Sequence, residues 1–387
     1  MDQNDCSPEL ESLIRQRIAA AGAITFAEFM ELCLYHPQHG YYMTRRERIG
    51  KGGDFFTSPS VHALFGRLLA RQLRQMWEIL GRGPFSVVEQ GPGEGHLALD
   101  ILDAAAEDPE FYGALSYRLV EVSAENRSRQ QERLRPHVLR VAWVEPGELS
   151  GVTGCILSNE LIDAFPVHLV EKREGRLLEV FVTLRDGELA EELRPPGTPR
   201  LEDYFHRAGI DPAEGNRAEV NLAALDWMHQ TAAVLKRGFV LTIDYGYPTA
   251  ELYAPFRRGG TLMCYRRHQA HDEPYRHLGC QDLTAHVDFG ALQRSGAEAG
   301  LETLFFGEQY RFLLALNFVE DLLTLQARTT SEREAQALRL TLKNLILPEG
   351  GMGETFKVLV QGKGVGRPAL LCARRIQDLP LPEIGQI

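Results

Sequence analysis

The stretch Val87 to Leu97, VVEQGPGEGHL, limits what this chain can fold into more than any other segment. An apolar run closes on Glu89, glycines follow at alternate positions (Gly91, Gly93, Gly95), and a helical pattern starts at Leu97. Glycine allows sharp turns and lets backbone approach a ligand without a side-chain clash. A helix N-terminus directly behind the loop offers N–H groups and the positive end of the helix dipole, which suit a carboxylate or a phosphate. A strand, a glycine loop and a helix in that order point to a parallel α/β sheet, and the neighbouring sequence repeats the alternation. Phe85 to Glu89 reads as a strand, Leu97 to Ala106 as a helix, Tyr117 to Val122 as a strand, Ser123 to Leu134 as a helix and Val138 to Val144 as a strand. Gly154 to Leu157 is a fourth strand, continuous and apolar as a strand buried on both faces should be. Phe239 to Tyr245 is a fifth. The fold class expected is α/β, with a doubly wound, mostly parallel sheet and right-handed crossovers.

The flanks are different in character. Leu10, Leu13, Ile14 and Ile18 repeat at helical spacing, and Thr25 precedes a second helical run from Phe26. Gly50 to Ser60, GKGGDFFTSPS, is a glycine-rich loop, followed by an amphipathic helix from Leu64 to Leu80. Val167 to Lys172, Leu177 to Leu184 and Glu188 to Leu193 form an expected antiparallel meander, with Glu174-Gly175 and Asp186-Gly187 as its turns. Ala218 to Leu235 reads as a helix, Tyr247 to His286 as loop, and Phe289 to Ala299 as a helix. The tail reads as helices over Phe312 to Ala327 and Glu332 to Leu347, then strands over Phe356 to Val360 and Ala369 to Ala373. The expected organisation is an N-terminal helical region, 1–82, carrying the glycine-rich loop as a lid, and a catalytic domain, 83–387, with insertions at about 166–217 and 247–288.

Composition narrows the class. In 387 residues, 42 basic and 53 acidic side chains leave a net charge of −11, which argues against wholesale binding of a phosphate backbone. No run approaches the roughly 18–20 apolar residues of a membrane span. The polar N-terminus carries neither a secretory nor a mitochondrial pattern. The 6 cysteines include no C-x-x-C pair and read as reduced thiols. A cytoplasmic protein is expected.

The loop chemistry is more specific than the fold. Dinucleotide folds use G-x-G-x-x-G; in this chain the last two glycines are two apart and Pro92 separates the first pair. A glutamate at the base of the loop can hold a cationic amine while the loop holds a carboxylate, so both ends of an amino acid are provided for. The methionine part of S-adenosylmethionine requires that arrangement. Glu121 follows the second strand at the same sheet edge, where an acidic residue pairs with ribose hydroxyls; a capping carboxylate is the alternative. After the fourth strand comes SNELIDAFP, Ser158 to Pro166, which brings Asn159, Glu160 and Asp163 to the edge where ligands sit. Carboxylates can hold a guanidinium through bidentate bonds, and an amide oxygen can orient an amine.

Over most of its length the sequence resembles the MidA-type methyltransferases, bacterial relatives of the mitochondrial complex I assembly factor that methylates an arginine on a complex I subunit. The resemblance is carried by FAEFMELCLYHPQHGYY at Phe26 to Tyr42, GGDFFTSPS, EQGPGEG, SNELIDAFPV, IDYGY at Ile243 to Tyr247, GTLMCYRRH at Gly260 to His268, DLTAHVDF at Asp282 to Phe289 and MGETFKVL at Met352 to Leu359. It implies a class I, seven-stranded fold, S-adenosylmethionine as cofactor and a protein arginine as acceptor. Glu89, Gly91, Gly93, Gly95, Glu121, Asp54 and Thr57 are then the expected cofactor-binding residues, and Asn159, Glu160 and Asp163 the expected catalytic ones. Asp244, His286 and Asp288 are further candidates for the acceptor side. Two other readings stand beside this one: a cofactor-binding assembly chaperone without transfer activity, and an NAD-dependent oxidoreductase. Cys264, His268, His271, His277 and Cys280 match no standard zinc spacing, so no metal is expected.

Overall fold

A computed structural model describes residues 6–44, 62–329, 331–347 and 353–375. They fall into two compact units. Of these, the first combines 6–44, 161–228 and 246–294; the second combines 62–160, 229–245 and the described residues from 295 to 375.

The second unit carries the central sheet. Its strands are β1 (Phe85–Gln90), β2 (Leu115–Val120), β3 (Val141–Trp143), β4 (Val152–Asn159), β5 (Leu235–Tyr247), β6 (Glu302–Glu308) and β7 (Phe356–Lys363). They lie in the order β6-β7-β5-β4-β1-β2-β3. The five strands β1 to β5 run parallel, and β7 runs antiparallel to both its neighbours. This is the expected α/β fold, with its carboxyl edge at Gln90, Val120 and Asn159. Val87, Val88, Ile156 and Leu157 are fully buried, because helices cover a parallel sheet on both faces.

One of the covering helices, Leu64–Ile79, turns Leu68, Leu69, Leu73, Met76 and Trp77 into the core. It crosses the helix His96–Ala105 at Gly66, where an added Cβ would stand 2.4 Å from Cβ of Asp100. The two backbones approach that closely only because Gly66 has no side chain.

The first unit contains the two N-terminal helices, Pro8–Ala21 and Phe26–Tyr35, the second capped by Thr25 as expected. The meander is present as His168–Arg173, Arg176–Arg185 and Glu188–Arg194. Its turns place Glu174, Gly175, Asp186 and Gly187 all at positive φ, as two-residue hairpins require. No helix among the described residues is long and apolar enough to cross a membrane.

Several expectations are corrected. The segment read as one helix from Ala218 opens instead as a strand, Arg217–Val220; the helix starts at Leu222, where Asn221 Oδ1 accepts from Ala224 N–H at 2.9 Å. The stretch read as loop from Tyr247 to His286 holds a small sheet of Met263–Arg266, Gln269–His271 and Asp282–Thr284. The helix read over Phe312 to Ala327 is two helices, broken at Asn317 with φ of 69°. Ala369 to Ala373 is not a strand: Leu371–Ala373 is a 3-10 turn, whose backbone N–H groups at Leu371 and Cys372 donate to the side chains of Gln75 and Gln72. The strand that completes the sheet beside β7 is β6, which the sequence pattern did not reveal. The second strand also begins and ends two residues earlier than expected, so Glu121 lies one position beyond β2.

Gly66→Ala tests the helix crossing. Alanine favours a helix over glycine by about 1 kcal/mol, whereas overpacking a close contact costs about 1–3 kcal/mol. Overpacking is expected to win, and the denaturant midpoint should fall with an unchanged slope. A raised midpoint would contradict the tight crossing.

Candidate cofactor and acceptor site

The glycine loop is shaped by its backbone. Gly91, Gly93 and Gly95 have φ of 66°, 54° and 80°, conformations that other residues adopt at a cost. Gly91 N–H donates to Val120 O at 3.1 Å, tying the start of the loop to the end of β2. Gly95 is the cap residue of the helix His96–Ala105 and contributes no side-chain acceptor to the first helical N–H groups. Within the loop, the side chain of Glu94 is held by His96, Arg129 and Arg133, which push its carboxyl down to about 2.

Beneath the loop sits Glu89, 2% exposed. Tyr117 Oη donates to its Oε2 at 2.7 Å. Burial pushes this carboxyl up to about 7; the tyrosine bond pulls it down and the charge of Glu121 raises it further. Among the described residues no cation pairs with this carboxylate, and a bound ammonium would supply one.

Glu121 is also buried and already held. Ser123 N–H donates to its Oε1 at 2.8 Å. Gln130 Nε2 donates to Oε2 at 3.2 Å and to Gly93 O at 2.6 Å. Trp143 Nε1 donates to Gln130 Oε1 at 2.8 Å. Gln130, fully buried, therefore joins the glycine loop, the Glu121 carboxylate and β3 in one network. Sequence reading missed Gln130 and Tyr117. Both partnerships link residues far apart in sequence, and the only available sign was a polar group on a buried face.

At the end of β4, Asn159 and Glu160 stand together. Asn159 Nδ2 donates to Glu160 Oε1 at 3.0 Å, and Asn159 Oδ1 is buried without a hydrogen-bond partner among the described residues. Glu160 has φ of 51°, and its N–H donates to Ile243 O at 2.9 Å across the β4–β5 pair. A non-glycine residue in this region is uncommon. Asp244, fully buried on β5, accepts from Tyr245 N–H at 2.9 Å.

The other candidates lie elsewhere. Asp163 belongs to the first unit, where its carbonyl accepts from Ala285 N–H at 2.9 Å. Asp288 caps the helix Phe289–Glu298 through Ala291 N–H at 2.9 Å and accepts from Tyr204 and Thr249 hydroxyls, so it ties elements of its unit together. His286 is half-buried, and desolvation with help from the charge of Arg257 pushes it down to about 4. Asp54 and Thr57 lie outside the described residues. Cys264 and Cys280 are buried free thiols, and no group of three or more metal-ligating side chains converges among the described residues.

The second unit thus offers backbone N–H groups at a glycine loop, a buried carboxylate that lacks a cation, a second carboxylate at the next strand end, and an amide–carboxylate pair at β4. Those features fit a ligand that carries an amino-acid end and a ribose. Comparison with known proteins agrees. A family model of S-adenosyl-L-methionine-dependent methyltransferases matches residues 68–307. The chain is 29% identical to the protein arginine methyltransferase NDUFAF7 homolog, mitochondrial, of Drosophila melanogaster, over 92% of this chain and 85% of that one. It is 28% identical to protein arginine methyltransferase NDUFAF7, mitochondrial, of Homo sapiens, over 92% of this chain and 83% of the relative. The crystal structure of a COG1565 superfamily member from Burkholderia thailandensis, bound to S-adenosyl-homocysteine, is 36% identical with a TM-score of 0.85, covering 95% of each chain. The chain belongs to the family of S-adenosyl-L-methionine-dependent methyltransferases, and S-adenosylmethionine is its cofactor.

Proposed function

We propose that this protein transfers a methyl group from S-adenosylmethionine to an arginine nitrogen of a partner protein. The observation that carries the reading is Glu160: a carboxylate at the end of β4, in left-handed backbone, with one oxygen held by Asn159. The names of the relatives in fly and human, both protein arginine methyltransferases, support the same acceptor.

Bound S-adenosylmethionine supplies an electrophilic methyl group on a sulfonium. The chain's own residues do the rest. The N–H groups of the glycine loop hold the carboxylate of the amino-acid end, and Glu89 balances its ammonium. Glu121 holds the ribose. Arginine stays protonated because its pKa exceeds about 12, so the acceptor arrives as a planar cation. Glu160 attracts it through charge-assisted hydrogen bonds and polarises the attacking nitrogen. It then accepts the proton that the nitrogen loses. Asn159 keeps the carboxylate in one orientation, so little ordering is left to the reaction.

The direct test is incubation of the purified protein with methyl-labelled S-adenosylmethionine and lysate of its own host, followed by identification of the labelled residue. Label on an arginine supports the proposal. Cofactor binding without transfer to any protein would favour an assembly chaperone. Glu160→Gln keeps the size of the side chain and removes the charge. Affinity for S-adenosylhomocysteine should stay within about threefold, while transfer falls on the order of a hundredfold or more. Unchanged transfer would make Glu160 structural.

A second expectation concerns pH. The Glu89 carboxyl titrates near 7 in the folded protein, above its ordinary range. Its stabilising contribution is complete below the ordinary carboxylate pKa and is lost as pH rises through about 7. Binding of an ammonium has the opposite sign, because only ionised Glu89 balances it. Between about pH 6 and pH 8, affinity for S-adenosylhomocysteine should rise while the melting temperature of the free protein declines. Glu89→Gln should flatten the affinity profile. A wild-type affinity that does not change over this interval would place the ammonium elsewhere.

A further inference from the structure

β6 is an outer strand of the central sheet: among the described residues it pairs with β7 and with no strand on its other side. An edge strand directs the N–H and C=O of alternate residues away from its neighbour, and such an edge is a template for another extended chain. Along the second half of β6 lies a cleft of about 570 Å³, lined by Phe305 to Glu308, Arg311 and Cys372 to Arg375. All of these residues belong to the second unit, and none to the glycine loop or to the ends of β1, β2 and β4.

The charges in the cleft do not balance. The guanidinium groups of Arg311, Arg374 and Arg375 stand beside a single carboxylate, that of Glu308. Glu308 is already paired: Arg311 Nε lies 2.9 Å from its Oε2, and Lys357 Nζ 4.0 Å from its Oε1. Arg374 donates to Leu371 O at 3.2 Å, to Asn317 Oδ1 at 2.8 Å and to Ala315 O, all of them neutral acceptors. Arg375 is exposed, with no hydrogen bond or ion pair among the described residues. Two guanidinium charges therefore stand without a carboxylate, in a chain whose net charge is −11. Its three bonds hold Arg374 in one orientation, so little side-chain entropy remains to be lost when an anion binds. Phe305 and Phe306 add apolar lining beside the charges.

We propose that this cleft docks an acidic, extended segment of a partner protein, which adds to β6 as a further strand and sets its carboxylates against Arg374 and Arg375. The strand edge offers backbone pairing, which an extended peptide can use along its length and a free phosphate cannot. The arginines select acidic side chains, because the planar guanidinium fork matches a carboxylate. Nucleic acid is disfavoured by the excess of negative charge on the chain. Docking here is independent of which acceptor is methylated.

The probe is a fluorescein-labelled peptide of eight residues, alternating glutamate and valine, titrated with the full chain and followed by anisotropy. Binding is expected, about tenfold weaker in Arg375→Glu, with affinity for S-adenosylhomocysteine unchanged. Lysine in place of glutamate should abolish it. A counterpart methylated at every backbone nitrogen keeps the carboxylates but has no N–H to offer a strand, and it should bind at least about tenfold more weakly. Hydrogen exchange reads the edge itself: the peptide should slow the amides of Phe305 to Glu308 in the wild-type protein, and this measurement decides should Arg375→Glu fail to fold. Absence of binding, equal binding of the methylated peptide, or unchanged exchange over Phe305 to Glu308 overturns the proposal. An oligothymidylate that binds as tightly as the peptide overturns it too. Peptide binding seen only after removal of residues 376–387, or a dimer that dissociates in Arg375→Glu, gives the cleft to an occupant from this chain's own sequence and overturns it likewise.

Discussion

Two carboxylates buried at the carboxyl edge of a parallel sheet set the terms for everything around them. Removing an ionised group from water costs several kcal/mol unless partners replace the lost hydration. Glu121 is supplied with donors from the helix that follows it and from Ser123, and it stays in place as an acceptor. Glu89 receives one neutral hydroxyl from Tyr117, and its carboxyl rises to about 7. The difference between the two sites separates their uses. One is prepared for neutral donors such as hydroxyls, and the other is short of a cation. The parallel sheet makes this possible, because every strand from β1 to β5 delivers its next residue to the same edge.

Gln130 turns these separate features into one structure. Its amide nitrogen reaches both the Gly93 carbonyl and Glu121, and its oxygen takes the Trp143 indole. Gly95 has to be small in this setting, since an added Cβ would meet Gln130 Cγ at 3.1 Å. The loop is thus pinned from behind by a side chain as well as by its own positive φ angles. A rigid loop loses little entropy when it closes on a ligand. At β4, Glu160 stands in an unfavourable backbone conformation that costs of order 1–3 kcal/mol, and the proposed transfer would use the carboxylate fixed there.

The parts of this arrangement that were legible in the sequence are those written into local pattern. Alternate glycines after an apolar strand, the continuous apolar run of β4 and the Glu-Gly and Asp-Gly turns each carry their meaning within a few residues. The network around Gln130 does not, because Gly93, Glu121 and Trp143 come from different crossovers. The same reason explains the misread segments. Arg217–Val220 is a strand because its backbone pairs with His168–Arg173 of the meander, far earlier in the chain. Leu371–Ala373 turns because Gln72 and Gln75 on a distant helix capture its N–H groups. β6 looks like no strand in isolation and becomes one by pairing with β7. Among the candidate site residues, Asn159 and Glu160 are singled out by their place after an apolar strand; the left-handed backbone at Glu160 has no signature in a glutamate.

The most direct measurement is a crystal structure of this protein with S-adenosylhomocysteine bound. The expected result has the amino-acid carboxylate against the glycine-loop N–H groups of Gly93 and Glu94, since those of Gly91 and Gly95 donate within the chain, the ammonium beside Glu89, and the ribose hydroxyls at Glu121. A ligand lying in the reverse direction along this edge, or one whose ribose makes no contact with Glu121, would contradict the assignment of the two buried carboxylates on which the proposed function depends.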